Sequence, residues 1–318
     1  MRQHSTVARV AEVFQVAWDT ANTAIIEESR RILADQPGRF DNVTVAGEDE
    51  HCWRHIRGGH KYVTVIIDLT PVPAGTGCAR LLDMVPGRSK QVFKQRLAGR
   101  PTQRWDGVKI VAMGGFTGFN SAAAEELPDA AAVVVPFHVM CLAGEAVDKC
   151  RQWAHQHTIG HCRRRGDPLF QARRILLTGA NLLTARPTDW SEQPLADEGH
   201  VEVEATWGVY QRPVQVYRCK DNQFGKFLMH RLLVQISSGV PAEFVEVTRL
   251  GRTLKRRAEN VTSIFDRPGT SNGPTEAING SLELLHGSTL GFRNLTNLVD
   301  RRLLEAGRFS NRLHSQLG

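Results

Sequence analysis

Two rhythms of apolar and polar positions divide this chain. Up to about residue 34 the spacing is helical: Val7, Val10, Ala11 and Phe14 form one stripe. A break falls at Gln15-Val16-Ala17, and a second helix opens near Asp19, carrying Ala21, Ala24, Ile25 and Ile32 on one face. After Pro37-Gly38 the pattern becomes extended. Val43–Glu48 is a short strand candidate, YVTVIIDL (62–69) is a stronger one rich in β-branched residues, and ARLLDMV (79–85) is a third. These three suit an antiparallel meander. A helix over Ser89–Leu97, a strand over Val108–Met113, a helix over Ser121–Leu127, a strand over Ala131–Val135 and a long helix from about Phe137 to Trp153 follow. This order predicts a mixed α/β sheet with helices on both faces. From about 156 to 260 the pattern is helical, over Leu169–Leu183, His200–Tyr217, Asn222–Ser238 and Ala242–Ala258. A turn-rich stretch, Asp266–Pro274, leads into a helix from Thr275 that carries Glu276, Ile278, Asn279 and Leu282. Pro274 suits a helix start, and Glu276 in the first turn complements the dipole.

Composition narrows the class. Hydrophobic residues at 41% and charged residues at 23% are ordinary for a globular protein. No apolar run approaches the roughly 18 residues of a membrane span, and the N-terminus lacks the layout of a secretory signal, so the reading is an intracellular protein with no membrane partner. Six cysteines without a CxxC pair read as reduced thiols. His155, His157, His161 and Cys162 are close enough in sequence to suggest a metal cluster. No second ligand pair stands at zinc-finger spacing, which favours a polar, partly helical surface. Forty basic against 33 acidic residues give +7, which favours an anionic partner, nucleic acid being the commonest. Arg163–Arg165, Lys255–Arg257 and Arg301–Arg302 are the local clusters, readable as phosphate contacts or as solvated helix faces.

The opening helix pair has the layout of a helix-turn-helix, with Trp18, Thr20, Asn22 and Thr23 able to reach base edges. The competing reading is a helical hairpin packed on the next domain. A full helix-turn-helix domain needs a further helix before residue 5, so this segment reads as a remnant. A second chemistry is suggested by acids in separate elements: two-metal phosphoryl transfer needs carboxylates converging from strands and a helix. Asp49, at the end of the opening strand, and Glu276, on the late helix, suit two of these positions. The remaining one belongs after the fourth strand.

GEDEHCWRH (47–55), HKYVTVIIDLTP (60–71), LLDMVPGRSK (81–90), VAMGGFTGF (111–119), ELPDAAAVVVPFHVM (126–140), SNGPTEAING (271–280) and LGFRNLTN (290–297) resemble the DDE transposases of bacterial insertion sequences. The resemblance runs from about residue 6 to 310. It implies an RNase-H-like core interrupted by an all-helical insertion, Mg2+ or Mn2+ as cofactor, and terminal inverted repeats and target DNA as partners. A homo-oligomer in the bacterial cytoplasm, associated with the nucleoid, is also implied. The domains expected are a helix-turn-helix segment (1–38), the first part of the core (39–155), the insertion (156–262) and the core's completion (263–318). Residue by residue, Asp49 matches the first catalytic aspartate and Glu276 the last glutamate, both as metal ligands. The second aspartate normally follows the V-x-M strand, where this chain has Gly114. An acid usual before the F-H pair is replaced by Val135, and Glu48 stands where a hydrophobic residue is usual. Asp68 is the best spare acid, with a strand-end structural role as the alternative. His138 of the F-H pair suits a DNA contact or a helix cap. Arg293 and Asn294 suit phosphate contact or support of Glu276. Lys255, Arg256 and Arg257 suit the DNA backbone, and Trp207 and Tyr210 suit either the core or base stacking. The missing acid implies an impaired enzyme, or alternatively a DNA-binding protein without catalysis.

Overall fold

The computed structural model describes residues 6–31, 37–53, 61–98, 105–114, 117–161, 167–182, 200–288 and 294–307. They form two compact units: residues 1–132 with 272–318, and residues 133–271. No helix among the described residues is long and apolar enough to cross a membrane.

The first unit is built on strands β1 (Val45–Cys52), β2 (Tyr62–Asp68), β3 (Arg80–Pro86), β4 (Ile110–Met113) and β5 (Ala131–Val134), in the order β3-β2-β1-β4-β5. β1 pairs antiparallel with β2 and parallel with β4, and β2 pairs antiparallel with β3. A meander joined to a parallel strand at its founding edge is the RNase-H-like arrangement. The chain passes into the second unit within β5.

One face of the sheet carries Ala46, Ile66, Leu82, Val111 and Met113. These pack with Phe93 of helix α3 (Lys90–Ala98), with Phe119, Ala122 and Ala123 of α4 (Thr117–Glu126), and with Phe40 and Trp105. The opening helices α1 (Val7–Phe14) and α2 (Trp18–Ser29) meet at a tight turn, where Gln15 adopts the left-handed conformation at φ 52°. They belong to this unit because α2 is pinned to its last helix, α12 (Leu295–Ala306). Arg30 pairs with Asp300 at 2.8 Å, Ser29 Oγ donates to the Asp300 carbonyl at 3.2 Å, and Arg301 donates to Asn22 at 2.5 Å.

The second unit is helical: α5 (Pro136–Ile159), α6 (Pro168–Ala172), α7 (Val201–Tyr217), α8 (Asn222–Ser237), α9 (Val245–Lys255) and α10 (Ala258–Asp266). It opens well before residue 156, because α5 itself supplies Val139, Ala143, Ala146, Val147, Cys150 and Ala154 to its core. The single helix expected over Leu169–Leu183 is instead a short helix and two 3-10 turns, and a separate helix occupies 258–266, ending where the turn-rich text begins. The remaining helix, α11 (Gly273–Ser288), returns the chain to the first unit.

Candidate active site

Three residues of β1 set the geometry. Side chains alternate along a strand, so Gly47 and Asp49 share one face while Glu48 points into the opposite apolar layer. A Cβ on Gly47 would stand 2.8 Å from Leu69 Cδ1, 3.0 Å from Thr275 Oγ1 and 3.1 Å from Asn272 Oδ1. Only glycine lets the start of α11 come this close to the strand. Asn272 starts that helix: its carbonyl accepts from the Thr275 and Glu276 amides at 2.8 and 3.0 Å, and its side chain bonds the Thr275 hydroxyl. The N-terminal turn of α11 is thereby seated over Gly47, and Glu276 is delivered to Asp49. Oxygens of the two carboxyl groups lie within 4.8 Å of one another.

Asp49 sits in mid-strand, because β1 continues to Cys52, whereas the acidic text of GEDEH suggested that the strand stops before it. It is 6% exposed. Its Oδ1 accepts from the Glu50 amide at 2.9 Å and its Oδ2 from Asn279 Nδ2 at 3.0 Å. Burial, opposed by the Glu50 amide bond and reinforced by the charges of Glu276 and Glu50, pushes its carboxyl up to about 7.

The parallel register places Gly47 beside Ala112 and Glu48 beside Met113. The next pair in this register is Asp49 and Gly114, and the Gly114 amide donates to the Glu48 carbonyl at 3.2 Å. Position 114 therefore lies beside Asp49 on the same face of the sheet, and it carries no side chain. Two neighbouring acids among the described residues are poorly placed to replace one. Asp68 registers with Ala46, on the face of Glu48, and is held by Arg80 at 2.8 Å and the Thr70 amide at 2.9 Å. Glu48 is 1% exposed, with both oxygens lacking a partner, and burial holds its carboxyl well above the usual range.

The other sequence candidates separate into displayed and enclosed groups. Trp18, Thr20 and Thr23 are exposed on α2, with Arg301 5.7 Å over the Trp18 ring. Asn22 is buried against Arg301, so its amide is spent inside the protein and not offered to a base. Lys255 and Arg256 are exposed, while Arg257 is buried at the start of α10, which removes it from any surface contact. Arg302, read as part of a basic cluster, is 1% exposed and donates to the Ser281 carbonyl of α11 at 3.1 Å. Arg293, Arg163–Arg165 and Cys162 lie outside the described residues. Asn294 caps α12, accepting from Thr296 N at 2.8 Å. Val135 is buried at the cap of α5. His138 is on the first turn of that helix, with its Nε2 lacking a partner. Burial and the charge of Arg257 draw its pKa down to about 4. Trp207 packs against the helical core and Tyr210 lies within it, the Tyr210 hydroxyl donating to the Leu177 carbonyl at 2.6 Å. His155 is buried, His157 lies 4.3 Å from the Trp153 ring, and His161 faces Asp167 at 3.3 Å, so these histidines serve separate neighbours. Sequence reasoning missed Gly47 and Asn279 as site residues. A glycine and an amide at two-residue and three-residue spacing from the two acids were the available signals.

A family model described as a transposase, of the ISL3 type, matches residues 47–301. The chain belongs to the ISL3 family of transposases. The transposase for insertion sequence element IS1557 of Mycobacterium tuberculosis, from strains CDC 1551 / Oshkosh and H37Rv, is 25% identical over 317 residues. That alignment spans 93% of this chain and 67% of the relative. Among solved structures, the chain is similar to the Drosophila P element transposase strand transfer complex, at 9% identity and a TM-score of 0.42, covering 95% of this chain and 92% of that one. Transposases of this family generally use a divalent metal. The donor set here fits a cation. Two carboxyl groups crowd together, one of them with a raised proton affinity, and beside them the buried Asn279 Oδ1 has no partner.

Proposed function

We propose that this transposase binds the terminal inverted repeats of its element and that its Mg2+- or Mn2+-dependent centre is impaired, because position 114 adds no carboxylate to Asp49 and Glu276. The observation that carries this reading is the pairing of β1 with β4, which sets Gly114 beside Asp49 on the face that receives Glu276. When bound, the metal supplies positive charge that activates an attacking oxygen and stabilises a departing one. Asp49 and Glu276 would hold it, Asp49 being fixed in direction by the Glu50 amide and by Asn279. A centre with two carboxylates in place of three neutralises two cations poorly, and a missing ligand typically costs orders of magnitude in rate. Trp18, Thr20 and Thr23 on α2 and Lys255 and Arg256 on α9 are the displayed groups suited to DNA, the last two to its backbone. As with other enzymes that join paired ends, the working form is a homo-oligomer.

The test is cleavage and strand transfer on DNA carrying the element's ends, with Mg2+ or Mn2+. The unmodified protein is expected to give little or no product, and Gly114→Asp to raise it at least tenfold. Robust strand transfer by the unmodified protein would contradict the reading. A second reading, a DNA-binding transposase that interferes with active copies without cutting, draws on the same loss at 114 together with the basic balance of the chain. Retarded migration of terminal-repeat DNA with no product even from Gly114→Asp would favour it.

A further inference from the structure

Asn279 lies one helical turn beyond Glu276 on α11, so the two side chains project from the same side of that helix. It is 9% exposed, and its Nδ2 donates to Asp49 Oδ2 at 3.0 Å across 230 residues of sequence. The other oxygen of Asp49 accepts from the Glu50 amide at 2.9 Å. Asp49 is therefore gripped at both oxygens, once by its own strand and once by the helix that carries the partner acid. The remaining atom of that amide, Asn279 Oδ1, is buried and has no hydrogen-bond partner.

A structural asparagine in a core satisfies both ends of its amide, since an orphaned buried acceptor is costly. This one satisfies only the end that faces Asp49. The grip also has a mechanical logic. Glu276 and Asn279 are rigidly related by the helix, so any shift of α11 that misplaces Glu276 also releases Asp49. We infer that Asn279 is a positioning residue, which locks Asp49 to α11 so that the two carboxylates present themselves to a divalent cation as one unit. This rests on the reading of Asp49 and Glu276 as the metal-holding pair. Groups that orient a ligand in this way typically contribute 10- to 100-fold to metal affinity.

The experiment measures Mn2+ binding by calorimetry on the full chain, alongside the thermal midpoint and far-UV circular dichroism. Asn279→Leu keeps the volume and removes the amide, and Asn279→Ala is a second variant that a helix tolerates well. Asn279→Ser, which keeps a shorter donor, serves as the rescue. The expected result is a 10- to 100-fold loss of Mn2+ affinity in the Leu and Ala variants, with dichroism unchanged, and a smaller loss in the Ser variant. Asp49→Ala should abolish binding. Unchanged affinity in folded Leu or Ala variants overturns the role of Asn279 and leaves the metal-holding pair intact. Equal loss in all three Asn279 variants, in step with a fall in thermal midpoint, assigns Asn279 a structural role and overturns the inference. Absence of Mn2+ binding by the unmodified chain overturns both the pair and the inference.

Discussion

Glu48 and Asp49 are neighbours with opposite circumstances. Asp49 faces Glu276 and the Asn279 amide, whereas Glu48 is turned into a layer containing Ala46, Ile66, Val111 and Met113, with no partner for either oxygen. Its carboxyl is held well above the ordinary value of 4.5, first by burial and then by the charges of Asp49 and Glu50. The folded chain therefore keeps a proton there that the unfolded chain gives up above pH 4.5, and stability falls as pH rises past that point. Glu48→Met, close in volume and without the orphaned oxygens, should raise stability by about 1–3 kcal/mol at pH 8. The gain should be smaller near pH 4, where the carboxyl is protonated in both states and only the unpartnered oxygens still cost, and thermal denaturation at the two pH values checks it. A variant less stable than the parent at pH 8 would sink the idea. The place of Asp49 on the opening strand was legible from the strand-like run Val43–Glu48 before it. Its position in mid-strand was not, because a run of Glu-Asp-Glu-His is a poor strand former in isolation and is held extended by pairing on both sides.

Between two of the helices, a glycine allows a close approach. Gly251 on α9 lies so near the end of α8 that a Cβ there would stand 1.8 Å from the Ile236 carbonyl oxygen and 2.5 Å from its carbon. Both are backbone atoms, which cannot swing away. Gly251→Ala should therefore part the two helices and destabilise the helical unit by about 3 kcal/mol, at the upper end of overpacking effects. Urea denaturation followed by dichroism measures this, and a loss below about 1 kcal/mol would show that the helices re-seat freely. The five strands were legible because β-branched runs and turn residues bracket them. α12 was not, because its buried face carries Asp300 and Arg302 beside Leu298 and Leu303. Charged residues in a core look like surface until the partners that hold them, Arg30 and the Ser281 carbonyl, are known. The break between α9 and α10 was equally hidden, since Arg257, at the junction, reads as a solvated cation and is in fact buried.

At the scale of the molecule, a formal charge of +7 is spread over both units, and association with DNA should weaken as salt rises. Lys255 and Arg256, if each neutralises one phosphate, contribute about −1.8 to the slope of log K against log salt. The double variant Lys255→Ala/Arg256→Ala should flatten the slope by about that amount when retardation assays are run between low and moderate salt. An unaltered slope would remove these two residues from the DNA surface. The family was readable from motifs in order, but the grip of Asn279 on Asp49 was not, since no local pattern links residues so far apart.

That separation also governs when the centre comes into being. In sequence, the helical unit interrupts the sheet unit, beginning within β5 and ending before Asn272. During synthesis Asp49 emerges early and waits while the whole helical unit is made, and Glu276 and Asn279 arrive only with α11. α12, which clamps α2, comes later still. A ribosome that stalls anywhere before residue 272 releases a chain with half a centre and an unclamped opening hairpin. The order of the gene thus withholds the acidic pair from every product that ends before Glu276, so that no such fragment can assemble the centre.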